Sequence, residues 1–363
     1  MARPTKASID LAAFRHNYHV AKAQSPHSQA VAIIKADAYG HGAVKLAHSL
    51  KDADAFGVAC IEEAIELREA GIKQPILLLE GFFEESELEL IAKYDFWSAV
   101  HSQAQIDAVA RQPDSYRFHI WLKLDSGMHR LGFSPQDYPA AFEQLSALSQ
   151  VVNIVHMTHF ACADELDKSM TQNQLQTCEA TFAPLKTQAS SFANSAATLA
   201  HPSSHSDQFN GYTRPGIMLY GADPLSHSNP ASEQLIPVMT LTSKIIAIRE
   251  VKAQDSVGYG ERYQCERDMK IGTVAIGYAD GYPRHAKDGT PVMVNGVSTQ
   301  LVGRVSMDML TVDLTDIPDV EIGSTVELWG KNVKTAEVAH YCDTIPYTLF
   351  TGITRRVHKE YTD

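Results

Sequence analysis

The stretch Val31-Ala-Ile-Ile-Lys35-Ala-Asp-Ala-Tyr39-Gly-His-Gly42 joins an apolar run of strand character to turn residues, with one lysine at the junction. The apolar run predicts a buried strand, and the residues after it predict a turn. A lysine in dry surroundings favours its neutral amine, which is the form that condenses with an aldehyde. The alternative is an ordinary lysine that leaves a strand for solvent, and this stretch alone does not separate the two.

Length and composition narrow the class of protein. The chain has 363 residues, of which 44% are hydrophobic and 20% charged; this length predicts two domains, because single cores rarely grow past about 250 to 300 residues. The net charge of -12 and the lack of a basic block argue against a nucleic-acid partner. No stretch approaches the roughly 20 apolar residues of a membrane helix, and the first residues hold no apolar secretion signal. We therefore predict a cytoplasmic protein that binds neither nucleic acid nor membrane.

Cysteine and histidine spacing argues against disulfides and metal sites. The five cysteines are scattered, without a C-x-x-C pair, and predict reduced thiols. His156 and His159 stand three apart in a predicted strand, so their side chains should point to opposite faces and cannot share a metal. We predict no metal site.

Short apolar runs alternate with amphipathic helical segments over the first part of the chain, from Asp10 to about Gly221. Eight such runs with helices between them predict a TIM-type (β/α)8 barrel, with a doubly wound open sheet as the alternative. A helix from Asp10 to about Ala23 leads in. The predicted strands are 30–34, 55–59, 76–79, 96–100, 118–124, 154–158, 191–193 and 216–220.

Polar residues of catalytic type gather where these runs end, and this pattern favours the barrel. In a barrel the strand ends open at one rim, so the side chains are expected to share a single site. Scattered solvated charges are the alternative, but they would show no preference for strand ends. The residues that follow such runs are Lys35, Lys123, Asp125, Arg130, His159, Asn194 and Ser195, whereas Arg214 and Gly216 open the eighth run.

The second part of the chain has a different pattern of residues. A polar stretch over 223–234 predicts a linker. Beyond it, β-branched runs separated by Gly, Asp and Asn predict a mainly β domain with one helix at 335–341. The runs are 238–242, 244–248, 271–276, 292–294, 300–302, 309–312 and 325–328. We place the barrel in residues 1–228 and the β domain in residues 229–363.

Eight motifs in order identify a family. The chain resembles the alanine racemases, pyridoxal phosphate enzymes of fold type III with an N-terminal barrel and a C-terminal β domain. In that fold the N-terminal strand can cross over at the domain boundary. The motifs are Lys35-Ala-Asp-Ala-Tyr39-Gly-His-Gly42, Lys123-Leu-Asp-Ser-Gly-Met-His-Arg130, Thr158-His159-Phe-Ala, Asn194-Ser195-Ala-Ala, Arg214-Pro-Gly216-Ile217, Val257-Gly-Tyr259-Gly, Gly277-Tyr278-Ala-Asp-Gly and Gly303-Arg-Val-Ser-Met307-Asp308.

The resemblance implies interconversion of L- and D-alanine, supplying D-alanine for peptidoglycan. Lys35 would carry the cofactor and act as one base. Racemisation needs a second base on the other face of the α-carbon, and in the family this is the tyrosine that matches Tyr259, supplied by the partner subunit of a homodimer. A phenol is a poor base unless nearby cations favour its ionised form, and Arg130 is the candidate cation. Without the family resemblance, Tyr259 is better explained as a half-buried tyrosine at a strand edge.

The other site residues are also implied by the resemblance. Arg214 would face the pyridine nitrogen; the alternative is an arginine in a surface ion pair. His159 would form a hydrogen bond with Arg214; the alternative is a histidine buried in the core. Arg130 would also bind substrate, and Lys123 matches a lysine that is carbamylated in some members. Cofactor contacts are expected from Lys35, Tyr39, His159, Asn194, Ser195, Arg214, Gly216, Ile217 and Tyr347, and substrate contacts at the entrance from Tyr278, Met307 and Asp308.

Two other functions stay open at this point. A racemase of broader amino-acid specificity would differ only in its entrance residues. A non-catalytic pyridoxal phosphate carrier would need the barrel alone and would leave the β domain without a role.

Overall fold

The first large unit is a barrel of eight parallel strands. The computed structural model describes residues 3–185, 189–206 and 211–363. Strands adjacent in sequence are adjacent in the sheet, the last pairs with the first, and a bridge from Ser190 to Gly211 joins the seventh to the last. The predicted barrel is confirmed. Numbered along the chain, β1 (Lys6–Asp10) precedes the barrel strands β2 (Gln29–Ile33), β3 (Ala55–Val58), β4 (Ile76–Leu78), β5 (Trp97–Val100), β6 (Phe118–Lys123), β7 (Val151–Met157), β8 (Ser190–Ser191) and β9 (Tyr212–Thr213).

Helices surround the barrel, and the last of them along the chain belong to the second, C-terminal unit. Asp10 begins the first of them as its N-cap, because its carboxylate accepts from the Ala13 N–H at 2.9 Å. The helices are α1 (Leu11–Gln24), α2 (Lys35–Tyr39), α3 (Ala43–Ser49), α4 (Ile61–Glu69), α5 (Glu87–Tyr94), α6 (Gln103–Ala110), α7 (Tyr138–Ser146), α8 (Met170–Phe182), α9 (Ser195–Ala200), α10 (Thr335–Tyr341) and α11 (Pro346–Thr351). Short 3-10 helices span Pro202–His205, Ile217–Tyr220, Ser232–Gln234, Tyr259–Glu261 and Tyr278–Asp280.

The second unit is mainly β, as predicted. Its large sheet runs β15-β14-β17-β10-β1-β18, with β13 pairing β10 and β16. The N-terminal strand β1 therefore lies in the C-terminal sheet, antiparallel to β10 and parallel to β18. The strands are β10 (Met239–Val251), β11 (Ser256–Val257), β12 (Tyr263–Gln264), β13 (Met269–Val274), β14 (Pro291–Val294), β15 (Val297–Gln300), β16 (Leu310–Asp313), β17 (Thr325–Trp329) and β18 (His358–Thr362).

Several predicted elements were wrong. The run Gly216–Tyr220 is not the eighth strand, because Ile217–Tyr220 forms a 3-10 helix and Tyr212–Thr213 is the strand. All four residues of that 3-10 helix are buried, and a short apolar run buried on every side shows no period that separates strand from helix. The runs 238–242 and 244–248 form one strand, β10, with a register shift between Ile245 and Ala247. The run 300–302 contributes only the end of β15 and an isolated bridge from Leu301 to Val312.

Three general features complete the description. All five cysteines are free. In the described ranges, no helix combines the length and apolar character that crossing a bilayer requires. The same ranges contain no cluster of His, Cys, Asp and Glu side chains able to hold a metal ion.

Candidate active site

The carboxyl ends of the barrel strands carry the polar residues that the sequence singled out. Lys35 lies two residues beyond the end of β2, and Lys123 is the last residue of β6. His159 lies just past β7, and Arg214 directly follows β9. Because all eight strands are parallel, these ends face one rim of the barrel.

The short segment α2, which begins at Lys35, is a left-handed turn rather than a right-handed helix. Ala36, Asp37, Ala38 and Tyr39 have φ between 48° and 53°. Left-handed backbone is unfavourable for L-residues by about 1 to 2 kcal/mol each, so other contacts must hold it. Within the turn, the Gly40 N–H donates to the Ala36 carbonyl at 2.9 Å, and Asp37 Oδ1 accepts from the Ala43 N–H at 2.8 Å.

The C-terminal domain also holds this turn. Lys359 Nζ on β18 contacts Asp37 Oδ2 at 2.6 Å, and the Tyr361 hydroxyl donates to the His41 carbonyl at 3.1 Å. The ring of Tyr347, at the start of α11, lies 5.6 Å from the ring of Tyr39. The second domain therefore helps to set the position of residues beside Lys35.

Arg214 is a buried cation held by neutral partners. It is 3% exposed. Its guanidinium donates to the Ser191 carbonyl at 2.7 Å and to the Thr158 carbonyl at 2.6 Å, and it approaches His159 Nδ1 at 3.4 Å. Burial lowers the pKa of Arg214 to about 9, so the group stays charged at neutral pH. Burial, followed by the charge of Arg214, holds the pKa of His159 well below its usual value, which leaves the imidazole neutral.

Four cations share this rim. Burial, followed by repulsion from Arg214, Arg130 and Lys35, lowers the pKa of Lys123 to about 8. Among the residues that the structure describes, none of these four cations forms an ion pair with a carboxylate. A small cavity with room for roughly one water molecule is lined by Lys123, Arg130 and His159. The site therefore has an excess of positive charge that suits an anionic ligand.

Small and hydroxyl-bearing residues form the other wall. Ser195 Oγ accepts from the Gly216 N–H at 2.7 Å and lies 3.4 Å from the Met218 nitrogen. A Cβ on Gly216 would lie 2.9 Å from the Tyr39 hydroxyl, so only glycine leaves this space open. Asn194 caps α9 through the Ala197 N–H at 3.0 Å, and Ile217 is buried beside Gly216.

The remaining predicted residues lie on exposed loops of the C-terminal domain. Tyr259 is 67% exposed, and Met307 and Tyr278 are also exposed. The loops of Tyr278 and Met307 are joined by the Ala279 N–H, which donates to the Met307 carbonyl at 3.0 Å. Asp308 Oδ1 pairs with Arg356 at 2.6 Å. No contact within the described part of the chain brings Tyr259 to Lys35.

Three further residues at this rim were not predicted from the sequence. Glu80 lies just past β4, and its charge raises the pKa of Lys123 against the larger opposing effects. His101 follows β5, and burial, followed by the charge of Lys123, lowers its pKa. The strand-end pattern could have found both. Glu63, in the first turn of α4, contacts the peptide after Lys35, and no sequence pattern pointed to that contact.

Comparison with known proteins agrees with the motifs. Residues 9–224 match the family model for the alanine racemase N-terminal domain, and residues 238–361 match that for the C-terminal domain. The alanine racemase of Chromohalobacter salexigens is 54% identical over 363 residues, covering 99% of this chain and 98% of that protein. The catabolic alanine racemase of Pseudomonas aeruginosa is 53% identical over 360 residues, covering 99% of each.

Solved structures are similar over the full length. The biosynthetic alanine racemase from Pseudomonas aeruginosa has a TM-score of 0.95 at 45% identity, covering 99% of this chain and 100% of that one. The alanine racemase from Bartonella henselae with covalently bound pyridoxal phosphate has a TM-score of 0.88 at 30% identity, with 99% of each chain covered. The resemblance of the motifs is confirmed, and the chain belongs to the alanine racemase family.

Proposed function

We propose that this protein interconverts L- and D-alanine with pyridoxal phosphate attached to Lys35, and that it supplies D-alanine for peptidoglycan. One observation carries the proposal. Lys35 leaves a barrel strand on a rim where three other cations lie, none of them in an ion pair with a carboxylate of the described residues. A lysine amine is the side-chain group that condenses with the aldehyde of this cofactor, and the surrounding cations would attract the anionic groups of the cofactor and the substrate.

The residues present fit the cofactor. Its phosphate and the substrate carboxylate are anions, and the rim offers cations that form no ion pair with a carboxylate in the part of the chain that the structure describes. Tyr39 is buried, which raises its pKa and keeps its hydroxyl a hydrogen-bond donor. Ser195 Oγ accepts from a backbone amide, so its own O–H is directed elsewhere and can donate to a phosphate. We assign the phosphate to Tyr39, Ser195, Gly216, Ile217 and Tyr347.

Arg214 would face the pyridine nitrogen. Its hydrogen bonds to the Ser191 and Thr158 carbonyls fix the guanidinium plane, and His159 and Asn194 support the same wall. When bound, the cofactor supplies an electron sink that stabilises negative charge at the substrate α-carbon. A guanidinium does not give up its proton at neutral pH, so Arg214 would not protonate the ring and would limit side reactions.

Two bases on opposite faces would move the proton. Lys35 would take or return it on one face, and Tyr259 of the partner subunit on the other. The 67% exposure of Tyr259 in a single chain supports this assignment, since a tyrosine so exposed is available to a second chain. Arg130 would bind the substrate carboxylate.

The same reasoning makes the active protein a homodimer with shared sites. Tyr278, Met307 and Asp308 would line the entrance from the partner and exclude long side chains by bulk. A non-catalytic pyridoxal phosphate carrier would need only the barrel and would leave these three residues without a role. We propose residues 1–228 as the barrel domain and residues 229–363 as the β domain, with β1 contributed by the first domain to the sheet of the second. We also propose, from the sequence, that the protein is cytoplasmic.

Lys123 is proposed to be carbamylated. Carbamate formation joins a neutral amine to carbon dioxide and releases a proton. With the pKa of Lys123 at about 8, about a tenth of the amine is neutral at pH 7. The resulting anion would lie among cations and favour their present arrangement. Intact mass at high bicarbonate that shows only free amine would contradict this assignment.

Turnover and reductive trapping test the function. Purified protein with pyridoxal phosphate should racemise alanine faster than serine, lysine or arginine, and borohydride should attach the cofactor to the peptide that contains Lys35. Equal turnover of large and small side chains would favour a broad-specificity racemase. Cofactor binding without turnover of any of these amino acids would favour a carrier.

A further inference from the structure

Glu63 makes two hydrogen bonds to backbone N–H groups, and local structure alone accounts for only one of them. It lies in the first turn of α4. Its Oε2 accepts from the Ala59 N–H at 2.8 Å, and its Oε1 accepts from the Ala36 N–H at 2.7 Å. The first bond is an ordinary helix cap, in which an acidic residue reaches back to a nearby backbone donor. The second reaches a residue 27 positions away.

The two donors lie at the ends of neighbouring barrel strands. Ala59 directly follows β3, and Ala36 is the first residue after Lys35. One carboxylate therefore joins the segments that follow β2 and β3, next to the lysine. The bond to Ala36 also holds the first peptide of the left-handed turn that ends at Tyr39.

We propose that Glu63 is a positioning residue for Lys35 and Tyr39, an inference that rests on the proposed function. The turn is in a conformation that L-residues disfavour, so it keeps its shape only while its neighbours hold it. Ala36 is the point where the turn begins, and its N–H has a charged acceptor. Without that acceptor the peptide can rotate, and both the Lys35 amine and the Tyr39 hydroxyl change direction together.

The chemistry of the side chain limits what can replace it. A carboxylate presents two acceptor oxygens, one for each N–H. Glutamine has one acceptor oxygen and an NH₂ group that would meet the second donor, and alanine has neither. The effect of substitution should therefore increase from Glu63→Gln to Glu63→Ala. Glu66→Gln, on the exposed side of the same helix, is the matched control for the change of charge.

The test measures cofactor affinity in the full-length apoprotein rather than turnover. Wild type and the three variants are titrated with pyridoxal phosphate by tryptophan fluorescence, and urea unfolding of each apoprotein is recorded. Loss of a charge-assisted hydrogen bond is worth about 10- to 100-fold in an equilibrium. We expect Glu63→Gln to weaken cofactor binding at least about tenfold, Glu63→Ala more, and Glu66→Gln to match wild type.

Hydrogen exchange separates positioning from capping. Peptides that contain Ala36 should exchange faster in both Glu63 variants than in the Glu66→Gln control. A dissociation constant for the cofactor that is unchanged in Glu63→Ala, with a lower unfolding midpoint, would reduce Glu63 to a helix cap and overturn the inference. If Glu63→Ala does not fold, Glu63→Gln and its exchange pattern decide. If wild type itself fails to bind pyridoxal phosphate, the proposed function fails, and this inference fails with it.

Discussion

Replacing Lys123 with methionine tests the electrostatics of the rim. Lys123 is 6% exposed, and burial, followed by repulsion from neighbouring cations, lowers the pKa of its amine from 10.5 to about 8. That interval corresponds to about 3 kcal/mol, at about 1.4 kcal/mol for each tenfold change in proton affinity. This amount is subtracted from the free energy of unfolding whenever the amine is charged in both the folded and the unfolded chain.

The penalty depends on pH with a definite sign. Below pH 8 both states hold the proton, and burial of the charge destabilises the fold in full. Between pH 8 and 10.5 only the unfolded chain holds it, so the contribution of Lys123 to the free energy of unfolding rises with pH. Above that window both states are neutral and the penalty is gone. Lys123→Met should therefore be more stable than wild type by up to about 3 kcal/mol at pH 7, and the gain should vanish by pH 10.5.

Urea unfolding of the apoproteins across this pH range measures the gain. The buffers must be free of carbon dioxide, because a carbamate on the wild-type lysine would remove the cation by another route. Taking the difference between the two proteins cancels the titration of other lysines and tyrosines. A difference that is the same at pH 7 and pH 10.5 would refute the reasoning, since it would mean that the buried amine does not titrate as its surroundings require.

Two further changes test the turn and the second base. Gly40→Ala should destabilise the protein by more than about 2 kcal/mol in urea unfolding, because its Cβ would lie 2.3 Å from the Phe350 carbonyl oxygen at φ +77°. Gly296→Ala, with a similar φ of +83° and open space around it, should lose only about 1 kcal/mol; equal losses would mean that the close approach has no effect. Tyr259→Phe should stop exchange of the α-proton for deuterium from L-alanine and leave some exchange from D-alanine, as followed by NMR, since each face has its own base. Equal loss from both enantiomers would contradict separate faces.

Strand ends were the most informative feature of the sequence. Parallel strands point their carboxyl ends the same way, so Lys35 and Lys123, each at the end of an apolar run, predicted a shared rim before any pairing was known. Arg214 stood before the predicted eighth strand, which would have placed it at the opposite rim; it joins the lysines because the eighth strand is Tyr212–Thr213. Lys35, Lys123 and Arg214 do lie there, and electrostatics links them. Glu80 and His101 follow β4 and β5 in the same way, so the same pattern also predicts a place for them on this rim.

Other features depend on contacts that no local pattern encodes. β1 and β18 are short strands with alternating exposure, and their pairing joins the two ends of the chain. An acidic residue in the first turn of a helix is usually interpreted as a solvent-exposed cap of that helix. The hydrogen bond between Glu63 and Ala36 therefore could not be predicted from residue spacing. The exposure of Tyr259 likewise gains meaning only if a second chain is present.

The most direct test of the central claim combines two inactive variants in one dimer. Lys35→Ala and Tyr259→Phe are each purified and shown to lack alanine racemisation, then unfolded together and refolded as a mixture. If each site takes its lysine from one chain and its tyrosine from the other, a mixed dimer has one site with both bases intact. Random pairing then restores roughly a quarter of wild-type activity. A mixture that forms dimers but stays as inactive as its components would contradict a site shared between subunits.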